Sequence, residues 1–150
     1  FFFCGLFIIV TGVEHTGLLQ SVADWTLSLT EGNFAVTALA ILWVSAILSA
    51  IVDNIPFVAT MIPMVKSTLP VVQQAVIPLV QAETLWWALA LGACLGGNGT
   101  LVGASANLIV AGIAERNGVP FRFLPFLKVA FPLMILQVLI STLYIWMRYL

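Results

Sequence analysis

Charge is what this chain lacks most. Only 7% of its 150 residues are Asp, Glu, Lys or Arg, while 62% are hydrophobic, and the mean hydropathy is +1.15. A soluble domain carries roughly 25% charged residues. Eleven charged side chains cannot cover a water-exposed surface of this size, so the composition points to an integral membrane protein. The net charge of -1 says nothing about nucleic acid, but the sequence has no basic patch, and no nucleic-acid partner is expected. There are two cysteines, Cys4 and Cys94, both in apolar stretches. They are expected to be small buried hydrophobes rather than a disulfide or a metal pair. With a single histidine, His15, no Ser/His/Asp, Cys/His or metal-ligand constellation can be assembled, and no enzyme is expected. His15 is expected at the membrane interface.

The apolar runs can be measured against the roughly 20 residues that a spanning helix needs. The opening FFFCGLFIIV has no basic leader and no cleavage site, and is expected to be the end of a membrane helix over 1–13. This makes the chain the C-terminal part of a longer protein, by expectation. Residues 14–32 are mixed and suit an interfacial segment. Val129 to Met147 is an ordinary final span, within a helix expected over 127–147. Every charge but one lies near a segment end, where it can reach headgroups or water. The exception is Asp53, in AIVDNIPFVAT.

Two runs have the wrong length or composition for simple spans. Around DNIP, Pro56 lacks an N–H and restrains the residue before it, so one helix ends near Asp53 and another begins with Pro56 in its first turn. Arms of about 13 and 12 residues each reach about 20 Å, which fits a re-entrant hairpin over 33–68 with its tip near 53–56. The second run, Thr84 to Ala114, would be about 46 Å long as a continuous helix, against about 30 Å of hydrocarbon. It contains GGNGTLVGASAN, in which Gly96, Gly97, Gly99 and Gly103 weaken a helix and Asn98, Thr100, Ser105 and Asn107 can bond freed backbone groups. A transmembrane helix over 84–115, broken into halves at roughly 84–97 and 105–115, is expected. Irregular backbone at membrane depth is tolerated only where protein buries it or it lines a polar cavity. The pairs Gly92/Gly96 and Gly99/Gly103 also suit close helix packing.

An intramembrane carboxylate is costly and usually functional. Asp53 can bind a cation or a proton, or it can merely cap the helix beginning at Pro56, and the sequence leaves both open. Half-helix N-termini near Pro56 and Ser105 present positive dipole ends. C-terminal ends near Val52 and Gly97 offer free carbonyls. The carbonyls with Asp53, Asn54, Asn98 and Thr100 suit a cation, Na⁺ or H⁺, with Na⁺ placed at Asp53, Asn54 and Asn98. The N-termini with Ser105 and Asn107 suit an anionic substrate group.

SAIVDNIPFVATMIP followed by LGACLGGNGTLVGASANLIVAGIAERNG resembles the ion transporter superfamily, which includes arsenite permeases, NhaD-type antiporters and the melanosomal P protein type. GLFIIVTGVEHTGLL fits the segment that precedes the second hairpin in these proteins. The resemblance implies an all-α integral membrane fold of two inverted repeats, each with a re-entrant hairpin and a discontinuous transmembrane helix, of which this chain is most of the second. It implies an ion-coupled secondary transporter, of anion permease, symporter or Na⁺/H⁺ antiporter type, with Asp53 at a midplane ion site. The ion-binding positions are then Asp53, Asn54, Asn98, Gly99, Thr100, Ser105 and Asn107, and the hinges are Pro56, Gly96, Gly97 and Gly103. The symporters have Ser-Asn-Thr where this chain has Asp53-Asn54-Ile55, so a fixed carboxylate replaces a hydroxyl and favours a cation or proton there. No cofactor beyond the coupling ion is expected. The partners are a small inorganic or organic ion, the N-terminal repeat of the same transporter and the lipid bilayer, with a homodimer left open. A multi-pass location in an inner, plasma or organelle membrane follows. Arg116, Arg122 and Lys128 place the 115–128 loop in the cytoplasm by the positive-inside rule. The rival reading is a channel-like or structural membrane subunit.

Overall fold

The computed structural model describes residues 33–73 and 79–150, with isolated positions before them. The segments expected over 1–13 and 14–32 lie outside the described residues except at those positions, of which His15 is exposed. The described residues form five α-helices and no strand: α1 Phe34–Ser49, α2 Asn54–Gln73, α3 Leu79–Gly96, α4 Ser105–Arg116 and α5 Phe123–Tyr149. This is the all-helical architecture that the resemblance implies.

Each boundary has a local cause. Asn33 starts α1, its Oδ1 accepting from the N–H groups of Ala35 and Val36 at 3.0 and 3.3 Å. An Asn in this position supplies acceptors for donors that have no partner within the helix. The α1 helix ends at Ser49, three residues before Val52, and the chain turns through 50–53. Pro56 then falls in the first turn of α2, where a missing N–H costs nothing. At the far end of α3, the run from Gly97 to Gly103 leaves the helix entirely, and the chain re-enters helix at Ser105.

The core lies between α1, α2, α3 and α5. Ile41 and Leu42, Phe57 and Met61, Leu85 and Leu89, and Met134, Val138 and Ile145 are buried there. Glycine sets the spacing of α1 and α3. A Cβ at Gly92 would collide with the Leu42 carbonyl oxygen and lie 2.8 Å from Ser45 Cβ, and one at Gly96 would lie 2.7 Å from Ala46 Cα. The pair Gly92/Gly96 therefore lets two backbones touch, which is the small-residue packing expected of it. Gly92 meets Leu42 and Gly96 meets Ala46, so α1 and α3 run in the same direction. The α5 helix runs the opposite way along α1. Trp43 Nε1 donates to Thr142 Oγ1 at 3.1 Å, while Ile47 and Ile51 share a cavity with Leu127 and Phe131.

The expectation that Cys94 is buried is not met. It is a free, exposed thiol, because α3 turns Gly92, Ala93 and Gly96 inward and leaves residue 94 on its outer side. Cys4 lies outside the described residues. The α5 helix is the one described helix long and apolar enough to cross a membrane by length and composition, and α1 is apolar but shorter. The α4 helix packs against no other helix among the described residues and exposes Leu108, Ile109, Val110 and Ile113.

Candidate functional site

The two interruptions of helix, at 50–53 and 97–104, lie against each other. Asp53 joins them. Its Oδ1 accepts from the N–H of Ile55 at 3.3 Å, at the start of α2, and its Oδ2 accepts from the N–H of Ser105 at 3.1 Å, at the start of α4. One half-buried carboxylate thus caps two helices from different parts of the chain. Both N-termini carry partial positive charge and unpaired donors, so an anion is favoured where they meet.

A second link runs through Thr100. Its buried hydroxyl donates to the carbonyl of Ala50, just past the end of α1, and accepts from the N–H of Gly103 at 3.0 Å. A third comes from Ser49, whose Oγ donates to the Ala93 carbonyl at 2.7 Å and ties the last residue of α1 to α3. Asn107 closes the second interruption on itself. Its Nδ2 donates to the carbonyls of Gly97 and Thr100, at 3.1 and 3.0 Å.

Gly103 sits where backbone oxygens crowd. An atom at its missing Cβ would lie 2.9 Å from the carbonyl oxygen of Gly97, 3.0 Å from that of Ser49 and 3.1 Å from that of Ala50. The ends of α1 and α3 therefore direct carbonyl oxygens toward one small region, with the Asp53 carboxylate on the neighbouring turn. Gly99 is buried as well, and a Cβ there would meet Met134 Cε of α5 at 2.9 Å.

The structure brings together Asp53, Thr100, Ser105 and Asn107 among the candidate ligands, and Gly97 and Gly103 among the hinges. Gly96 lies a turn away, on the α1–α3 contact. Pro56 is half-buried in the first turn of α2. Asn54 is half-buried and borders a groove along α2 with Ile55, Val58, Ala59 and Ile62. Asn98 is exposed. No hydrogen bond joins the Asn54 or Asn98 side chain to the junction among the described residues. No group of three or more His, Cys, Asp or Glu forms among them either.

Two contributors were not foreseen. Ser49 and the Ala50 carbonyl belong to the junction because α1 stops earlier than Val52. The only sequence sign was a serine late in an apolar run. Replacing Thr100 with Val should strand the Gly103 N–H and remove the donor to Ala50. Each unmet buried group costs about 1–3 kcal/mol, so a drop of several degrees in Tm of the full-length protein is expected. An unchanged Tm would show that the hydroxyl holds nothing.

Residues 1–92 match the family described as citrate transporter, CitMHS. The chain belongs to that family. It is also 43% identical over 148 residues to an uncharacterized transporter of Mycobacterium tuberculosis, an alignment covering 99% of this chain and 34% of that protein. It is 44% identical over 149 residues to the P protein of Mus musculus, covering 96% of this chain and 17% of that protein, and 40% identical over 149 residues to the P protein of Homo sapiens, with the same coverage. The chain thus spans about a third of the mycobacterial relatives and less of the animal ones. Its family consists of membrane transporters rather than enzymes, and its resemblance to the ion transporter superfamily is borne out.

Proposed function

We propose that this chain is part of an ion-coupled secondary transporter and contributes half of a transport site, at the junction of its two helix interruptions. The observation that carries this reading is the Asp53 carboxylate shared between the N-termini of α2 and α4. In a transporter such a group can exchange its backbone donors for a proton or Na⁺. Doing so frees the start of α4 while the carbonyls of Ser49, Ala50 and Gly97 remain near by as hard oxygen donors. The family's description suggests an organic anion with carboxylate groups as cargo, and the freed N–H groups suit such an anion.

Two geometric facts support a hairpin whose tip lies within the membrane. The α1 and α3 helices run in the same direction with one described helix between them, as they would if α2 returned toward the side from which α1 came. The α5 helix serves as a ruler. From Val129 to Met147 it has no charge, a length of about 28 Å that matches about 30 Å of hydrocarbon. Gly99 lies against Met134, six residues or about 9 Å inside Lys128. This supports a site within the hydrocarbon, on the Lys128 side of the middle and closer to the middle than to Lys128. The remainder of the longer protein, including an N-terminal repeat, would supply the rest of the site and cover α4.

The rival reading, a channel-like or structural subunit with Asp53 only a cap, is favoured by the same two hydrogen bonds, since capping is what they do in the absence of an ion. The full-length protein in proteoliposomes separates the two. With Na⁺ or H⁺ gradients imposed and carboxylate and inorganic anions screened, a coupled carrier accumulates one of them above its external concentration. Flux only down the ion's own gradient, with every substrate and both cations, would support the channel instead.

A further inference from the structure

We infer that Arg122 and Lys128 form a binding site for one anionic phospholipid, with an acyl chain lying in the groove between α1 and α5. Two adjacent cavities share Lys128. The first, about 350 Å³, is lined by Ile47, Ala50, Ile51, Thr100, Leu127, Phe131 and Pro132 beside Lys128, and its walls are almost wholly apolar. The second, about 590 Å³, is lined by Arg122, Phe123, Leu124, Pro125 and Lys128. One cavity therefore offers two cations and the other a hydrocarbon surface, and a single amphiphilic anion satisfies both.

The levels agree with that occupant. Lys128 ends the uncharged stretch of α5, so it stands where hydrocarbon gives way to headgroups, and Arg122 lies beyond it. Leu127, Phe131 and Pro132 lie at or below Lys128, where an acyl chain would run. Neither cation has a carboxylate partner among the described residues, and no Asp or Glu lines either cavity. The positive-inside bias puts this end of α5 on the cytoplasmic face, where anionic lipids gather and basic pockets between helices hold their headgroups. A soluble phosphate would fill only the basic cavity. A zwitterionic lipid would bring its own cation against Arg122 and Lys128.

The groove ends at Ala50 and Thr100, which share a hydrogen bond at the junction of the two interruptions. A lipid seated there would press on that junction directly.

The test uses the full-length protein, purified in mild detergent and examined by native mass spectrometry against phosphatidylglycerol, phosphatidylcholine and soluble glycerol phosphate. One phosphatidylglycerol is expected to remain bound where phosphatidylcholine does not, and glycerol phosphate is expected to bind far more weakly. The double variant R122Q/K128Q should weaken retention about thirty-fold, equivalent to roughly 2 kcal/mol at 1.4 kcal/mol per factor of ten. R122K/K128R, which keeps both charges, should restore it and guards against loss through misfolding. Equal retention of phosphatidylglycerol by the Gln variant, equal retention of the two lipids, or glycerol phosphate binding as tightly as the lipid would each overturn the proposal.

Discussion

Gly96→Leu is expected to prevent stable folding of the protein that contains this chain. The Gly96 position faces the backbone of α1, where even a single added carbon would lie 2.7 Å from Ala46 Cα and 2.8 Å from its carbonyl carbon. These are main-chain atoms inside a helix, so nothing can rotate away. The helices must separate, and Gly92, one turn earlier, would lose its contact with Leu42 and Ser45. The bond from Ser49 Oγ to the Ala93 carbonyl would stretch with it. Overpacking by a few carbons costs about 1–3 kcal/mol and sometimes more, against a total stability of about 5–15 kcal/mol. A fall of more than 10 °C in Tm, or loss of monodisperse protein from detergent extracts, is the expected result. Gly112→Ala is the control. Nothing among the described residues lies within 4 Å of a Cβ there, and Ala favours an α-helix over Gly by about 1 kcal/mol, so it should be neutral or stabilising. If Gly96→Leu behaved like Gly112→Ala, α1 and α3 would not touch at Gly96.

Asp53 carries the second large expectation. Removing the carboxylate in Asp53→Ala uncaps two helices at once. A lost cap costs about 0.5–2 kcal/mol, and here the losses fall on α2 and α4 together. The α4 helix suffers more, because it packs on no other described helix and is held at its start by Asp53 and Asn107. Hydrogen exchange should therefore quicken at the amides of Ile55 and Ser105 and along the first turn of α4, while α1 and α5 stay protected. Asp53→Asn keeps one carbonyl oxygen as an acceptor, so it should lose less protection than Asp53→Ala.

Much of this arrangement could be read from residue order. Pro56 after Asp53-Asn54 announces a helix boundary through its fixed backbone. Four glycines among Asn98, Thr100, Ser105 and Asn107 announce a length of chain that cannot stay helical. The Gly92/Gly96 spacing announces a helix contact. What could not be read was which interruption meets which side chain. Nothing local to Thr100 says that its hydroxyl reaches Ala50, fifty residues away, or that Asp53 caps a helix beginning at Ser105. Such contacts depend on α1 and α3 lying side by side, and that follows from the packing of the whole core. The end of α1 at Ser49 was also hidden, because Ala50, Ile51 and Val52 are as apolar as the helix before them. Asn54 and Asn98 have the same polar character as Asn107, yet only Asn107 is turned by its helix toward the Gly97 and Thr100 carbonyls.

The most direct measurement is ion-coupled uptake by the full-length protein in proteoliposomes, comparing the native carboxylate with Asp53→Asn over a range of pH. A transporter in which Asp53 exchanges its two backbone partners for a proton or Na⁺ should lose gradient-driven accumulation in the Asn variant, while exchange of substrate at equal concentrations persists. Accumulation that is unchanged at every pH, driven by the same ion, would reduce Asp53 to a cap.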